Sequence, residues 1–514
     1  MVTYIVRRLI TAVLILFGAS FFVYLLTAAS GDPLSDLRES RLPNKEALIA
    51  QRTDSLNLNT PAPLRYFQWL GGAVQCVVPF VGRCDLGVNL VGDPVTAALG
   101  RAMGQTILLV TAATVLAIII GISLGVITAL RQYSSLDYSV TFMAFLFFSL
   151  PIFWLAVLLK EYGAIGFNNF LAEPVFTPTA VIITSLFIGV VVLVFSAGSW
   201  KKRGLTFVIG AAATAALMLA MSATGWFSAP GLGPILIALS GAGVAFVVTQ
   251  LMAGVKNKKA LYSALLMVPI GLVFYYLLNP LFSQATALMM VLLAVGTIVV
   301  GCLVGWLMGG YDRGQSMRTA SVTAFIVGGL IVLDRFMVTW PEYFSNSRIR
   351  GRPIATVGAS TPNLEGDWWI HGLDTFTHML LPTIALMLVS LAGYSRYSRA
   401  SMLEIMQMDY IRTARAKGLP ERTVVMRHAF RNALIPLATL VAFDIGGLIG
   451  GAVITERVFA FTGMGELFVK SLTPIPDPNP VMGVFLVTGI LALVFNLVAD
   501  LVYSVLDPRV RVKA

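Results

Sequence analysis

Long apolar runs broken by short polar gaps dominate this chain, without the two-residue alternation of a half-buried strand or the one-sided stripe of a soluble helix. The first run covers about 9–29 and follows Arg7 and Arg8. Others lie at roughly 103–130, 137–159, 178–198, 204–225, 231–254, 260–278, 285–309, 319–338, 376–395, 434–456 and 480–506. Each approaches or exceeds the roughly 20 residues that a helix needs to cross a bilayer core. About twelve transmembrane helices are therefore expected. The first run is longer than the roughly 7–15 residues of a signal-peptide core and is read as an uncleaved helix, although Ala28-Ala29-Ser30 resembles a cleavage site. Two long polar segments, 31–100 and 341–375, interrupt the series.

Composition turns this pattern into a class. Hydrophobic residues make up 57% of the chain and charged residues 12%, with a mean hydropathy of +0.84. A soluble domain carries about 25% charge, so a soluble enzyme, a nucleic-acid partner and a disordered chain are excluded. The net charge of +11 is a matter of topology. With a cytoplasmic amino end, alternation places Arg131, Lys201–Arg203, Lys256, Lys258, Lys259, Arg313, Arg318, Arg509, Arg511 and Lys513 inside, where positive residues collect. The expectation is an all-α polytopic membrane protein with both termini cytoplasmic. Three cysteines and three scattered histidines offer no metal site.

One inner loop differs from the others. Between Arg396 and Arg431 eight Lys/Arg face three acids, Glu404, Asp409 and Glu421. Helix formers run from about Ser398 to Lys417, Gly418 suits a left-handed stop and Pro420 suits the first turn of a second helix. This reads as a helix–glycine turn–helix at the membrane surface. The plainer alternative is a basic loop that merely follows the positive-inside rule.

The residue order of that loop resembles a known family. Asp409-Tyr410-Ile411-Arg412-Thr413-Ala414-Arg415-Ala416-Lys417-Gly418-Leu419-Pro420-Glu421-Arg422, continuing through Arg427-His428-Ala429-Phe430-Arg431-Asn432-Ala433-Leu434-Ile435-Pro436, is similar to the "EAA" loop of binding-protein-dependent ABC importers. Its form resembles the B-type permease subunit of dipeptide and oligopeptide transporters, with Arg412-Thr413-Ala414 where the naming acid would stand. Val6-Arg7-Arg8-Leu9, Gly31-Asp32-Pro33, Asp85-Leu86-Gly87, Thr455 to Gly465 and Asp500 to Arg509 look like the same family. The resemblance covers about 1–160 and 370–514.

The resemblance implies a six-helix type I permease core whose loop docks on an ATPase through Asp409, Tyr410, Arg412, Thr413, Ala414, Lys417, Gly418, Leu419, Pro420 and Glu421. It implies a second homologous permease subunit, two ATPase subunits and an extracytoplasmic solute-binding protein as partners, beside the lipid bilayer. No G-x-x-x-x-G-K-[ST] occurs, so ATP and Mg are expected in the partner ATPases and this chain is expected to hold no cofactor and to catalyse nothing. The expected organisation is a first helix (1–30), an extracytoplasmic segment (31–100), core helices 2–3 (101–163), an inserted six-helix bundle (164–340), an outer loop (341–375), core helices 4–6 (376–506) with the coupling loop 396–431 and 404–425 at its centre, and a cytoplasmic tail (507–514). The family has no counterpart of the insertion, which is expected to be a lipid-facing accessory bundle.

Outside the loop, Cys76 and Cys84 lie in the outer segment, where a disulfide persists, two free thiols being the alternative. Cys302, within a span, is read as a packing residue. Gly446, Gly447, Gly450 and Gly451 form two overlapping G-x-x-x-G patterns, read as close helix packing or as a smooth stretch of pathway, and Gly121 and Gly125 are read the same way. Asp444 is the carboxylate most clearly inside a core span, and Asp334-Arg335 is read as a local pair. An ion-coupled secondary transporter or a non-transporting scaffold are the rival readings. The first would call for internal repeats with broken helices, which the sequence lacks.

Overall fold

A computed structural model describes residues 2–77, 83–196 and 198–506, with the side chains of 2–5, 439, 442–443, 445–451 and 499–506 outside the description. The helices in chain order are α1 (Val2–Ala29), α2 (Ser35–Glu39), α3 (Lys45–Ser55), α4 (Ala62–Val77), α5 (Val95–Leu130), α6 (Ser135–Ser149), α7 (Ile152–Leu158) and α8 (Phe167–Ala172). Then come α9 (Pro178–Phe195), α10 (Trp200–Ala223), α11 (Gly233–Met252), α12 (Lys258–Leu277), α13 (Asn279–Phe282), α14 (Ala287–Met308) and α15 (Arg313–Ser345). The remainder are α16 (Trp368–Met406), α17 (Asp409–Ala416), α18 (Glu421–Thr423), α19 (Phe430–Gly451), α20 (Val453–Val458), α21 (Met464–Leu472) and α22 (Pro478–Leu506). The fold is all-α; among the described residues the extended pairing is a single bridge between Val88 and Pro94.

Ten of these helices are long and apolar enough to cross a membrane, and α6 with the helical stretch Ile152–Ala172 makes an eleventh if that bent pair is one span. The sequence pattern reads 137–159 as one straight helix, but the two halves meet at 105°. Pro151 is the cause. It has no amide to donate, and it pushes Leu150 out of the helical region, to ψ 128°. The eleventh expected span corresponds to α19, helical over 22 residues. Several helices outrun their apolar runs: α5 extends over 36 residues and α16 over 39.

The chain divides into two compact units. The first comprises residues 1–163, 356–359 and 379–514. Within it α1 carries Tyr66 of α4, which is fully buried among Phe17, Phe21 and Tyr24 and hydrogen-bonded to Ser20 at 2.7 Å. α5 meets α16 along Gly125, where a Cβ would lie 2.5 Å from that of Ser398, so only glycine lets the backbones approach this closely. Gly121 packs on Tyr394 in the same way.

The second unit comprises residues 164–355 and 360–378, and so extends past residue 340, where the sequence reading ends the inserted bundle. Asp334 is buried here, but it does not pair with Arg335. Consecutive helical residues do not face each other, and the carboxylate instead accepts from the amides of Leu232 and Gly233 at the start of α11 and from the Tyr275 hydroxyl at 2.8 Å. Cys302 touches the Ser321 hydroxyl at 3.1 Å, between α14 and α15.

In the first unit Cys76, near the end of α4, is bonded to Cys84, with Cα atoms 4.2 Å apart. Restricting the unfolded chain through so short a loop is expected to contribute about 2–3 kcal/mol. Alkylation of the unfolded protein should label these two thiols only after reduction. Full labelling without reductant would show that the bridge is not formed.

Candidate functional site

The basic loop between α16 and α19 is a folded element of the first unit. The expected single helix from 398 to 417 breaks at Gln407–Met408, and Met408 is extended at ψ 148°. Neither glycine nor proline stands there, so the break is of tertiary origin. It lets α17 turn back and bury Ile411 and Ala414 against Met402, Val424, Val425, Ala429 and Ala433. Ala414, expected at the surface offered to a partner, therefore belongs to the loop's own core, 6% exposed.

The opposite face of α17 is free of such packing. Asp409, Tyr410, Arg412, Thr413, Lys417, Gly418, Leu419, Pro420 and Glu421 are all exposed. Gly418 closes the helix at φ +75°, with its amide donating to the Arg415 carbonyl at 2.9 Å. A Cβ there would meet nothing within 4 Å, so glycine is required by the backbone angle and not by crowding. Across this turn Arg415 holds Glu421 in a two-pronged pair at 2.7 and 3.2 Å, which keeps the Glu421 carboxyl below its ordinary range. The pair is exposed on both sides and contributes about 0–1 kcal/mol. Its value lies in fixing the angle between α17 and α18. Asn432, on α19, donates to the Tyr410 hydroxyl at 2.9 Å and ties the loop to the helix that follows.

The base of the loop is anchored by a pair that sequence reasoning did not single out. Arg399 grips Asp137 through Nε and an Nη atom at 2.7 and 2.9 Å, and Asp137 is nearly fully buried. The same carboxylate accepts from the Tyr133 amide at 3.0 Å, so the turn before α6 is fixed to the carboxyl-terminal part of α16. The charge order alone carries no signal for this, because the partners lie 262 residues apart. Asp444 accepts from the Tyr394 hydroxyl at 2.8 Å and so bridges α19 and α16. Gly446, Gly447, Gly450 and Gly451 are helical in α19, but their surroundings lie outside the described residues, as does the Asp500 side chain.

The remaining motifs assemble at the other end of the first unit. Glu456 is fully buried and accepts from Thr106 of α5 at 2.7 Å and from the Glu466 amide at the start of α21 at 2.9 Å. Thr106 in turn accepts from the Met464 amide at 2.8 Å. A Cβ on Gly463 would lie 2.3 Å from the Glu456 carboxylate, which explains glycine at that place in Thr455–Gly465. Asp85-Leu86-Gly87 is held beside Asn479, whose side-chain amide donates to the Val88 carbonyl at 2.8 Å. Asp477 accepts from the Leu90 amide at 2.7 Å, and its burial pushes the carboxyl up to about 6. Gly31 of Gly31-Asp32-Pro33 abuts Pro476. These separate stretches thus form one cap around the start of α22. Among the described residues no group of three or more His, Cys, Asp or Glu is placed to hold a metal ion.

Comparison with known proteins agrees with this geometry. The family described as "Binding-protein-dependent transport system inner membrane component" matches residues 261–512, a range that begins inside the stretch the loop resemblance leaves uncovered. The chain is similar to the oligopeptide transport system permease protein OppB of Mycobacterium tuberculosis, 35% identical over 233 residues, 43% of this chain and 69% of the relative. It is also similar to the dipeptide transport system permease protein DppB of Lactococcus lactis, 34% identical over 243 residues, 47% of this chain and 75% of the relative. With the oligopeptide transport system permease protein AppB of Bacillus subtilis it shares 23% identity over 513 residues, 99% of each chain. The described helices, the folded basic loop and these matches lead to one conclusion: the chain is a multi-pass membrane protein that belongs to the family of binding-protein-dependent transport system inner membrane components.

Proposed function

We propose that the chain is one of two membrane-spanning subunits of an ATP-driven importer of di- or oligopeptides. The observation that carries this reading is the two-faced loop α17–Gly418–α18: one face is sealed into the subunit by Ile411 and Ala414, and the other presents exposed polar residues to a soluble partner. Two ATPase subunits bind beneath residues 404–425 and supply ATP and Mg. A homologous permease completes the pathway, and an extracytoplasmic solute-binding protein docks on the outer segments. Both termini lie in the cytoplasm. The names of the relatives support peptides as cargo. Residues 164–340 add an accessory bundle to the six-helix core. Asp409, Tyr410, Arg412, Thr413, Lys417, Leu419, Pro420 and Glu421 meet the ATPase, Gly418 sets the turn, and Ala414 supports it from within.

Reconstitution of the four kinds of subunit in vesicles tests the reading. ATP hydrolysis should rise when peptide-loaded binding protein is added, and a cysteine at exposed Thr413 should cross-link to an ATPase subunit. Uptake by this chain alone under an ion gradient, without ATP, would overturn it.

A further inference from the structure

The second unit carries an apolar cavity of about 420 Å3 between α12, α14 and α15, within the range of small-ligand pockets. Gly296 and Gly329 leave it open, since a Cβ on either would meet nothing within 4 Å. Along α14 it extends from Met290 to Val300, eleven residues that rise about 15 Å. That is half the roughly 30 Å thickness of a hydrocarbon core. Phe274, Leu292 and Phe325 on its lining are exposed, so the cavity is open sideways, toward lipid.

A cation stands at the end marked by Phe282. Arg335 follows the lining residues Ile331 and Val332 by one turn of α15 and so lies on the same face. Its guanidinium is 6.0 Å from the ring centre of Trp369, whose indole donates to the carbonyl of the lining residue Phe282 at 2.7 Å. The Arg335 Nε is buried and makes no hydrogen bond. The adjacent Asp334 carboxylate is already taken by α11 and Tyr275. An arginine in a spanning helix is costly unless something answers its charge, and the free Nε is one prong of the fork that grips an oxyanion.

We propose that the cavity and Arg335 together hold one phospholipid, from the leaflet at the Phe282 end of the bundle. One acyl chain lies along Gly296 and Gly329, and the phosphate accepts from the Arg335 guanidinium. The half-bilayer depth fits an acyl chain, the charge fits the phosphate, and the two are adjacent. This gives the second unit a ligand of its own, independent of the cargo and of the ATPase loop.

The purified transporter, stripped of lipid in detergent, is incubated with dioleoyl-phosphatidylglycerol or with dioleoylglycerol, which lacks the phosphate, and retained lipid is counted by native mass spectrometry. The wild type should retain one phosphatidylglycerol with a preference of about tenfold over dioleoylglycerol. Arg335→Gln should reduce that preference to about twofold or less, whereas Arg335→Lys should keep most of it. Gly296→Leu fills space in which a Cβ meets nothing within 4 Å, and should lower retention of both lipids while leaving the unfolding temperature unchanged. Equal retention of the two lipids by the wild type, or wild-type retention in both Arg335→Gln and Gly296→Leu, would overturn the proposal.

Discussion

Replacing Arg399 with methionine is expected to destabilise the protein by about 3 kcal/mol. The loss arises from what remains behind. The Asp137 side chain is 3% exposed, and without the guanidinium it becomes a buried charge held only by the Tyr133 amide and a long contact from Thr141. Arg399 retains 28% exposure, which places the cost at the low end of the range for buried pairs. The double substitution Asp137→Asn with Arg399→Met should recover most of the loss, because neither residue is then charged and asparagine still accepts from Tyr133. Denaturant titration of the purified protein measures all three. An Arg399→Met variant within about 0.5 kcal/mol of wild type would show that the pair is already dissolved in solvent.

The second large effect concerns transport. Gly418→Val forces a β-branched residue to φ +75°, at a cost of about 1–3 kcal/mol, and displaces α18 relative to α17. Uptake and binding-protein-stimulated ATP hydrolysis should fall about tenfold or more, while membrane insertion and the amount of protein stay the same. Substitutions at this position should rank by tolerance of left-handed backbone: asparagine close to wild type, alanine intermediate, valine worst. Because a Cβ here touches nothing within 4 Å of its own chain, an asparagine as damaging as valine would mean that the turn's exposed surface is what matters.

The spans were legible because hydropathy is a property of each segment by itself. Even the bend within the third span was written in the sequence at Pro151, where a single apolar run hid the consequence of a missing amide. The inner loop was half legible. Gly418 and Pro420 announced their turn, but the break at Gln407–Met408 is made by burying Ile411 and Ala414, and no local residue signals it. Contacts between distant segments were invisible: Asp137 with Arg399, Glu456 with Thr106 and Asp477 with Leu90 are each separated by more than two hundred residues. The motifs Gly31-Asp32-Pro33, Asp85-Leu86-Gly87 and Thr455–Gly465 were recognisable as signatures, yet only the fold gives them one shared place. Asp334 was misread for a related reason, since its partners lie about a hundred residues upstream and not beside it.

The helix α5 is fastened at two separate places along its length, by Thr106 to the Glu456 cap and by Gly121 and Gly125 to α16 close to the loop. Its 36 residues form an unbroken rod of about 54 Å. A rod pinned in this way behaves as a lever: a tilt of about 6° shifts one tip by about 5 Å relative to the other over that length. Force arriving at the attachment to α16 then reaches the cap without any change in the helix itself. The stiffness of α5 thus becomes a design variable, and a proline introduced between the two attachments, at exposed Val115, would leave both in place while making each end deaf to the other.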